Sequence, residues 1–391
     1  MEYLQNTEIL NIFVPSKFLY YEKTTLLASI TLAVGMLCAC TQEETDTPMT
    51  TSKQPITAEQ ASANAMTFLS EFYGNTRGTG TPEIESVEAI GYTGKRITGT
   101  RATAEEEAAY YAVNLKDKKG FVLASADARY IPVYAYVPEN SYSEEDILNN
   151  EGLSFYIESL MERIVNDDET LWQSRHIQTL QNTSISPLLQ TAWGPGMPYN
   201  IHANTLHHAT SLDLALGQIC AYYAYPDSVS IGGTTYGYDW QSILSECASN
   251  NGSLLTNSIY GSNVSRLCVY LGGQTDNVTP QISNICLYRM AGIGYDYNGL
   301  LWTLYDEDPD IIEALTDGII VFASGSQYID ENNNYSGGAA WLIDGYQSGL
   351  YHINWGLYGY NNGYFALEAT GSNQLIYQYQ TAYTTISPDD N

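Results

Sequence analysis

One stretch near the end of the chain, Tyr335 to Tyr364, constrains the fold more than any other. Ala339 to Tyr346 is a mostly apolar run with Asp344-Gly345 near its end, and Tyr351 to Trp355 is a second short run. Apolar runs joined by a turn and bounded by glycines predict two paired β-strands. Asn354 and Trp355 end the second strand. An amide beside a large aromatic side chain there indicates the supporting half of a catalytic site.

Length and charge limit the function classes that need to be considered. A chain of 391 residues can hold two domains with buried cores. Its net charge is −29, and from Ser186 to Asn391 the only lysine or arginine residues are Arg266 and Arg289. Such a surface repels phosphate backbones, so nucleic acid is excluded as a partner.

The cysteines indicate neither a metal site nor a cofactor. None has the Cys-x-x-Cys spacing of a zinc site, so no metal and no cofactor are expected. In an exported protein the last four could form disulfides, and spacing leaves their pairing open. The six cysteines are Cys38, Cys40, Cys220, Cys247, Cys268 and Cys286.

The N-terminal region predicts export. Leu26 to Ala39 is an apolar run of 14 residues, which is short for a membrane span and typical of a signal peptide. Leu37, Ala39 and Cys40 resemble a bacterial lipoprotein signal, in which an acylated Cys40 would anchor the chain to a membrane. We therefore expect an outer-membrane or cell-surface lipoprotein. An ordinary cleaved secretory signal is the alternative, and the 22 residues before Lys23 indicate a start site placed too far upstream.

Composition and periodicity divide the chain into five parts. Residues 1–40 form the N-terminal extension and signal, 41–55 a flexible tether, 56–175 a small α+β domain, 176–186 a linker, and 187–391 a second domain. In the small domain, the Thr57 and Gln60 spacing predicts a capped helix. Apolar periodicity predicts the remaining elements, namely strands over 108–115, 121–125 and 131–137, and a helix over 153–165.

The second domain places its helix first and its sheet later. A long helix is predicted over Ser211 to Tyr223, with shorter helices over 263–271 and 310–316 and a buried strand over 319–323. That order suits a cysteine peptidase, which needs a thiolate at a helix N-terminus. It also needs a histidine base, an orienting side chain and an oxyanion donor.

Several motifs, in one order, resemble the streptopain family of papain-like cysteine peptidases. The resemblance implies a papain-like α+β fold over the second domain. It also implies a smaller propeptide-like α+β domain over 56–175, of a kind also seen in small proteinaceous inhibitors of this family. In the second domain the motifs are WGPGMPYN, ALGQICAYYAYP, YDWQSIL, GGAAWLIDGY and HINWGLYGYNNGY, and in the first they are ITAEQASANAMTFL, YYAVNL and GFVLASADARYIPVYAY.

The active-site positions depart from that resemblance. Counted back from the helix motif, Ser211 stands at the place of the nucleophilic cysteine. Ala339 stands at the place of the histidine, and Pro195 at the place of the oxyanion glutamine. Asn354 and Trp355 remain at the places of the orienting asparagine and its shielding tryptophan. Because removing one member of such a unit can cost about 10⁴ to 10⁶ in rate, we expect no peptidase activity.

Other residues offer weaker ways to rebuild a site. Ser211 could use His207 or His208 in the preceding loop as a base, although the sequence shows no third group. Cys220 lies about two and a half helical turns from Ser211 and is expected in the core. His352 lies in a strand away from the family's catalytic place. Asp213 is expected to be a helix-start acid that suits the helix dipole.

Three functions follow as hypotheses. The first is a non-catalytic surface protein that binds a peptide or a glycan. The second is an inhibitor or regulator of a related peptidase, acting through the propeptide-like domain. The third is a residual hydrolase that uses Ser211. In each case the membrane is a partner only through the lipid anchor.

Overall fold

The computed structural model describes residues 52–74, 82–98, 108–172, 183–203, 206–298, 309–330, 334–370 and 378–389. Cys40 with its signal, most of the tether and most of the 176–186 linker lie outside these residues, so their predicted roles remain predictions. Of the helices described, none has the length and apolar character needed to cross a membrane.

Most of the described helices begin at a residue whose side chain caps them. At the first helix, Thr57 Oγ1 accepts from the Gln60 N–H while the Gln60 side chain accepts from the Thr57 N–H, which is the predicted capping box. The helices of the described residues are α1 (Ala58–Tyr73), α2 (Glu144–Leu148), α3 (Glu151–Val165), α4 (Ser211–Tyr223), α5 (Trp240–Ser249), α6 (Gly261–Gly272), α7 (Pro280–Ala291) and α8 (Pro309–Thr316).

A ten-stranded sheet runs through the protein, with neighbouring strands antiparallel and in the order β1-β2-β3-β4-β11-β10-β9-β8-β12-β7. A separate hairpin pairs β5 with β6. The strands are β1 (Ile84–Gly91), β2 (Ala108–Leu115), β3 (Phe121–Ser125), β4 (Val133–Val137), β5 (Ser228–Ile231), β6 (Thr234–Gly237), β7 (Tyr295–Tyr297), β8 (Ile320–Asp330), β9 (Asn334–Gln347), β10 (Leu350–Asn354), β11 (Gly363–Phe365) and β12 (Tyr379–Pro388).

The sheet joins the propeptide-like half to the peptidase-like half. β4 pairs with β11 through Tyr136 opposite Tyr364 and Ala135 opposite Phe365. Helix α3 adds a second connection, since the rings of Tyr156 and Phe365 lie 5.0 Å apart. Thr51 to Asn391 therefore form one compact unit.

Two hydrophobic cores lie on opposite faces of the central strands. Along β9, Ala339, Trp341 and Ile343 belong to the core that includes α1 and α3. Ala340 and Leu342 belong to the core that includes α4 and α6. This alternation follows from the two-residue period of a strand, because successive side chains point to opposite faces.

The predicted fold class, a papain-like α+β fold of helix followed by antiparallel sheet, is confirmed. Helix α4 and strands β2 and β3 have the predicted bounds. Strand β9 begins earlier than expected, because Gly337 and Gly338 lie within the strand and not before it. The sequence reading did not predict α5 or α7, although Thr279 and Pro280 are a visible start signal for α7.

Candidate functional site

Ser211 is the first residue of α4, as the nucleophile position requires. Thr210 caps the helix: its Oγ1 accepts from the Asp213 N–H at 3.2 Å, and Asp213 Oδ2 accepts from the Thr210 N–H at 3.0 Å. The Oγ of Ser211 accepts a hydrogen bond from the main-chain N–H of Ala340 at 3.1 Å. The helix and the sheet therefore meet at the expected point, and a backbone donor holds the hydroxyl there.

Ala339 is fully buried on the face covered by α3. It pairs with Gly325 of β8, and a Cβ on Gly325 would lie 2.6 Å from Cε1 of Phe155. The Phe155 ring is also centred 5.7 Å from the Trp341 ring. The family's base position thus holds a methyl group beneath α3 of the propeptide-like half.

Asn354 supports the fold on the opposite face of the sheet. It pairs with Leu342, so its side chain points toward α4 and away from the Ala339 face. Its Nδ2 donates to Thr191 O at 3.0 Å, and its Oδ1 accepts from the Gly356 N–H at 3.0 Å. Its Nδ2 also lies 3.4 Å from Oε1 of Gln218. The structure therefore does not bring Asn354 and Ala339 together.

Trp355 packs against the start of α3. Its Nε1 donates to Asn361 O at 3.0 Å, and its ring is centred 5.5 Å from that of Trp341. A Cβ added to Gly152 would overlap the Trp355 ring. Trp355 therefore covers a helix of the propeptide-like half, and its ring contacts in the described residues are with aromatic side chains and not with a histidine.

The loop around Pro195 is covered by Tyr358. Pro195 has no N–H or polar side chain to donate, and its carbonyl accepts from the Ala209 N–H at 2.9 Å. The neighbouring N–H of Gly196 donates to Tyr358 Oη at 2.8 Å, while the tyrosine ring lies against Gly194. The sequence reading did not single out Tyr358. Tyr358 lies in a glycine-rich turn, where its φ is 56°, and nothing in that part of the sequence predicted its contact with Gly196.

Two other histidines, His208 and His352, each contact a carboxylate. His208 Nε2 lies 3.1 Å from Asp276 Oδ1, so a third group does exist beside this histidine. No feature of the sequence marked Asp276, because it lies 68 residues further along. His352 Nδ1 lies 2.5 Å from Oδ1 of the buried Asp344. Among the described residues, no hydrogen bond joins Ser211 to His207 or His208.

The remaining candidates are buried. Burial raises the pKa of the Cys220 thiol to about 12, which suits a core residue and not a thiolate nucleophile. Cys220, Cys247, Cys268 and Cys286 are all buried free thiols, so the possible disulfides are not formed. Burial also raises the pKa of Asp213 to about 6, although the N–H groups of Thr210 and Gln274 favour its charged form. In the described part of the chain, no group of three or more His, Cys, Asp or Glu side chains could hold a metal ion.

Within the described residues, the arrangement pairs no base with Ser211 and offers no unbonded oxyanion donor at Gly196. A nucleophile needs a base within hydrogen-bonding reach, and the described residues bring none to Ser211. An oxyanion site needs free donors, and the Gly196 N–H is already bonded to Tyr358.

Comparisons with known proteins agree with this fold. The family described as Spi protease inhibitor matches residues 53–164. The thiol protease/hemagglutinin PrtT of Porphyromonas gingivalis is 23% identical over an alignment of 328 residues, and the match covers 70% of this chain and 36% of that protein. The chain thus spans little more than a third of that relative's length.

A solved structure is also similar. A mutant fragment of prointerpain A from Prevotella intermedia matches with a TM-score of 0.53 and 18% identity, covering 76% of this chain and 97% of that one. Its likeness shows the fold. The chain is therefore a relative of the streptopain-like, papain-fold cysteine peptidases, with a propeptide-like region before the peptidase-like one.

Proposed function

We propose that this relative of the streptopain-like cysteine peptidases is catalytically inactive and acts as an exported surface protein that binds a polypeptide. One observation carries the proposal. The base position, Ala339, is a buried methyl group in the same core as Phe155 of α3, which packs on its cross-strand partner Gly325. The hydroxyl of Ser211 is bonded to the backbone N–H of Ala340.

The contact between the two halves supports a permanent, non-catalytic arrangement. In an active peptidase the propeptide has to leave before substrate can enter. Here Tyr364 and Phe365 continue the sheet of the propeptide-like half. In addition, Ser159 Oγ and Arg163 Nε of α3 both donate to the carbonyl of Ala369, at 2.6 and 3.1 Å. Separation would expose these groups and the apolar face of α3.

Hydrolysis of fluorogenic peptides by the purified chain tests this proposal, with Ser211→Ala beside it. We expect both proteins to give the background rate. Hydrolysis by the wild-type chain that Ser211→Ala abolishes would establish the residual-hydrolase alternative, with His208 and Asp276 as the nearest available base and its partner.

A second candidate function is inhibition of a related peptidase. The match of residues 53–164 to Spi protease inhibitor favours it. Against it, the inhibitor-like half already uses β4 and α3 to contact its own peptidase-like half. Titration of an active streptopain-like peptidase with the full chain decides the matter: stoichiometric loss of activity supports inhibition, and unchanged activity argues against it.

Anchoring through Cys40 completes the proposal. Incorporation of labelled palmitate into the wild-type chain, and its loss in Cys40→Ser, is the expected result in an expressing Gram-negative cell. Secretion of an unlabelled wild-type chain would instead support the ordinary cleaved signal.

A further inference from the structure

A band of exposed apolar and aromatic side chains runs along one side of the peptidase-like half. It contains six of the eleven large apolar side chains that are exposed in the described chain. We name it the apolar band, and it consists of Met197, Ile201, Leu255, Ile259, Tyr358 and Tyr360. Ile259 is the most exposed of the six, at 84%.

Contacts between three segments, 196–201, 255–261 and 358–360, bring the residues of the band into one region. At one end, Tyr358 Oη accepts from the N–H of Gly196, the residue before Met197. Ile201 packs at the start of α6, because a Cβ on Gly261 would lie 3.5 Å from its Cδ1. Gly261 follows Ile259 by two residues.

Side-chain hydrogen bonds hold the backbone beneath the band. Tyr199 Oη lies 2.9 Å from Ser253 Oγ and accepts from the Leu254 N–H at 2.8 Å. The Glu246 carboxylate accepts from the Leu255 N–H at 2.8 Å and from Ser258 Oγ at 3.1 Å. The apolar side chains are therefore presented on a rigid support, which lowers the entropy cost of binding.

The charges beside the band are mostly negative. Asp146 of α2 binds the hydroxyl of Tyr360 at one end, and Glu246 lies under the other. A cation on α6, Arg266, donates to His202 at 3.1 Å and lies over the Tyr236 ring. The rest of the peptidase-like half carries one more arginine, Arg289, and no lysine.

We propose that the apolar band is a docking surface for a basic polypeptide segment with large apolar side chains. The inference rests on the proposed binding function and names its partner class. Clustered exposed apolar side chains mark interaction sites, and aromatic residues are enriched in them. A net charge of −29 attracts a basic partner from a distance and disfavours a second copy of this chain.

Fluorescence anisotropy with defined peptides tests the proposal. The probe is a labelled peptide of Leu-Lys-Lys-Leu repeats, and the comparison peptides replace its lysines by glutamate or its leucines by serine. We expect the wild-type chain to bind the Leu/Lys peptide at least about tenfold more tightly than either comparison peptide. Affinity should also fall as salt rises.

Two double variants locate the binding. Ile201→Ser with Ile259→Ser alters the band and should weaken binding about tenfold. Ile285→Ser with Tyr288→Ser is the matched control, because these side chains are also exposed, at 47% and 69%, but lie on α7 outside the band. The control should bind as the wild-type chain does.

The outcomes separate this inference from the proposed function. Equal binding by the band variant, or equal loss in the control, would overturn the inference. Binding of soluble oligosaccharides in place of the peptide would overturn it too. Mass spectrometry of the probe after incubation tests the proposed lack of peptidase activity. A cleaved probe contradicts that proposal, whereas an intact, unbound probe contradicts only the docking surface.

Discussion

The Oγ of Ser211 accepts a hydrogen bond from the main-chain N–H of Ala340, at 3.1 Å. The bond joins the first residue of α4 to β9, at the point where a cysteine peptidase would bring its nucleophile to its histidine. Here it joins a hydroxyl to a backbone group. A serine hydroxyl is a weak nucleophile without a base, so the contact stabilises the interface between helix and sheet and activates nothing.

Replacing Ala339 by histidine should strain the fold. The imidazole would enter the space next to Phe155, and overpacking a filled core costs about 1–3 kcal/mol. Phe155→Ala alone should cost about 3–5 kcal/mol through the cavity that it leaves. The double variant should be at least about 1 kcal/mol more stable than the sum of the two changes predicts, because the cavity accepts the new ring. Urea unfolding of all four proteins at pH 8 measures this coupling, and strict additivity would argue against contact between the two positions.

Gly152 should not tolerate a methyl group. Helix propensity alone favours alanine over glycine by about 1 kcal/mol. Steric overlap with the Trp355 ring opposes this gain, and we expect it to dominate, so that Gly152→Ala lowers the free energy of unfolding by more than about 1 kcal/mol. Gly237→Ala is the control. A Cβ there meets only Asp227 O at 3.9 Å, so its effect should stay within about 0.5 kcal/mol. Equal effects of the two substitutions in thermal unfolding would contradict the packing of Trp355 on α3.

Asp213 should make the protein more stable as pH falls. Burial raises its pKa from 3.8 to about 6, so the folded state holds the proton more tightly than the unfolded state does. The resulting stabilisation is complete below pH 3.8 and is lost as pH rises through about 6. A shift of that size corresponds to about 3 kcal/mol. Urea unfolding between pH 4 and pH 8 should show this contribution in the wild-type chain and not in Asp213→Asn.

Asp239 provides the control of opposite sign. Hydrogen bonds from the Ser242 side chain and N–H lower its pKa, so its contribution is present at neutral pH and is lost as pH falls. This loss takes place below the ordinary pKa of 3.8, so the unfolding series has to extend below that pH. There the difference between the wild-type and Asp239→Asn curves should have the reverse slope. If the two difference curves of unfolding free energy against pH slope in the same direction, the raised pKa assigned to Asp213 is wrong.

Cutting the linker should leave the two halves associated. A site for a specific protease can be placed within 176–182, outside the described residues. After cleavage we expect both fragments to elute together from a size-exclusion column, because β4 remains paired with β11 and Phe155 remains buried. They should separate only in denaturant. Separation of the two fragments in buffer would contradict a permanent association. It would indicate a propeptide that dissociates, as it does when a peptidase matures.

Local rules predicted much of the fold. The capping box at Thr57 fixed the start of α1, and the run Ser211 to Tyr223 gave α4 because turn and helix signals coincide there. The resemblance also assigned Ser211 and Ala339 to one site. The observed bond joins Ser211 to the next residue, Ala340, whose side chain lies on the other face of β9 from that of Ala339.

The features of the fold and of the candidate site that the sequence did not predict depend on contacts between distant residues. Nothing in the sequence marks Phe155 as the cover of Ala339, since apolar periodicity shows only that a helix face is buried. The bond between Tyr358 and Gly196 spans 162 residues, and that between His208 and Asp276 spans 68. The face on which Asn354 lies depends on strand register, which shifts near His352 in a way that the sequence does not reveal.

Peptide cleavage by the purified full chain is the most direct test of the proposed lack of catalysis. The chain and Ser211→Ala are incubated under reducing conditions with a diverse peptide mixture between pH 5 and pH 8, and the products are identified by mass spectrometry. We expect the same uncleaved mixture from both proteins, because no base among the described residues is hydrogen-bonded to Ser211. New cleavage products from the wild-type chain that Ser211→Ala fails to produce would contradict it.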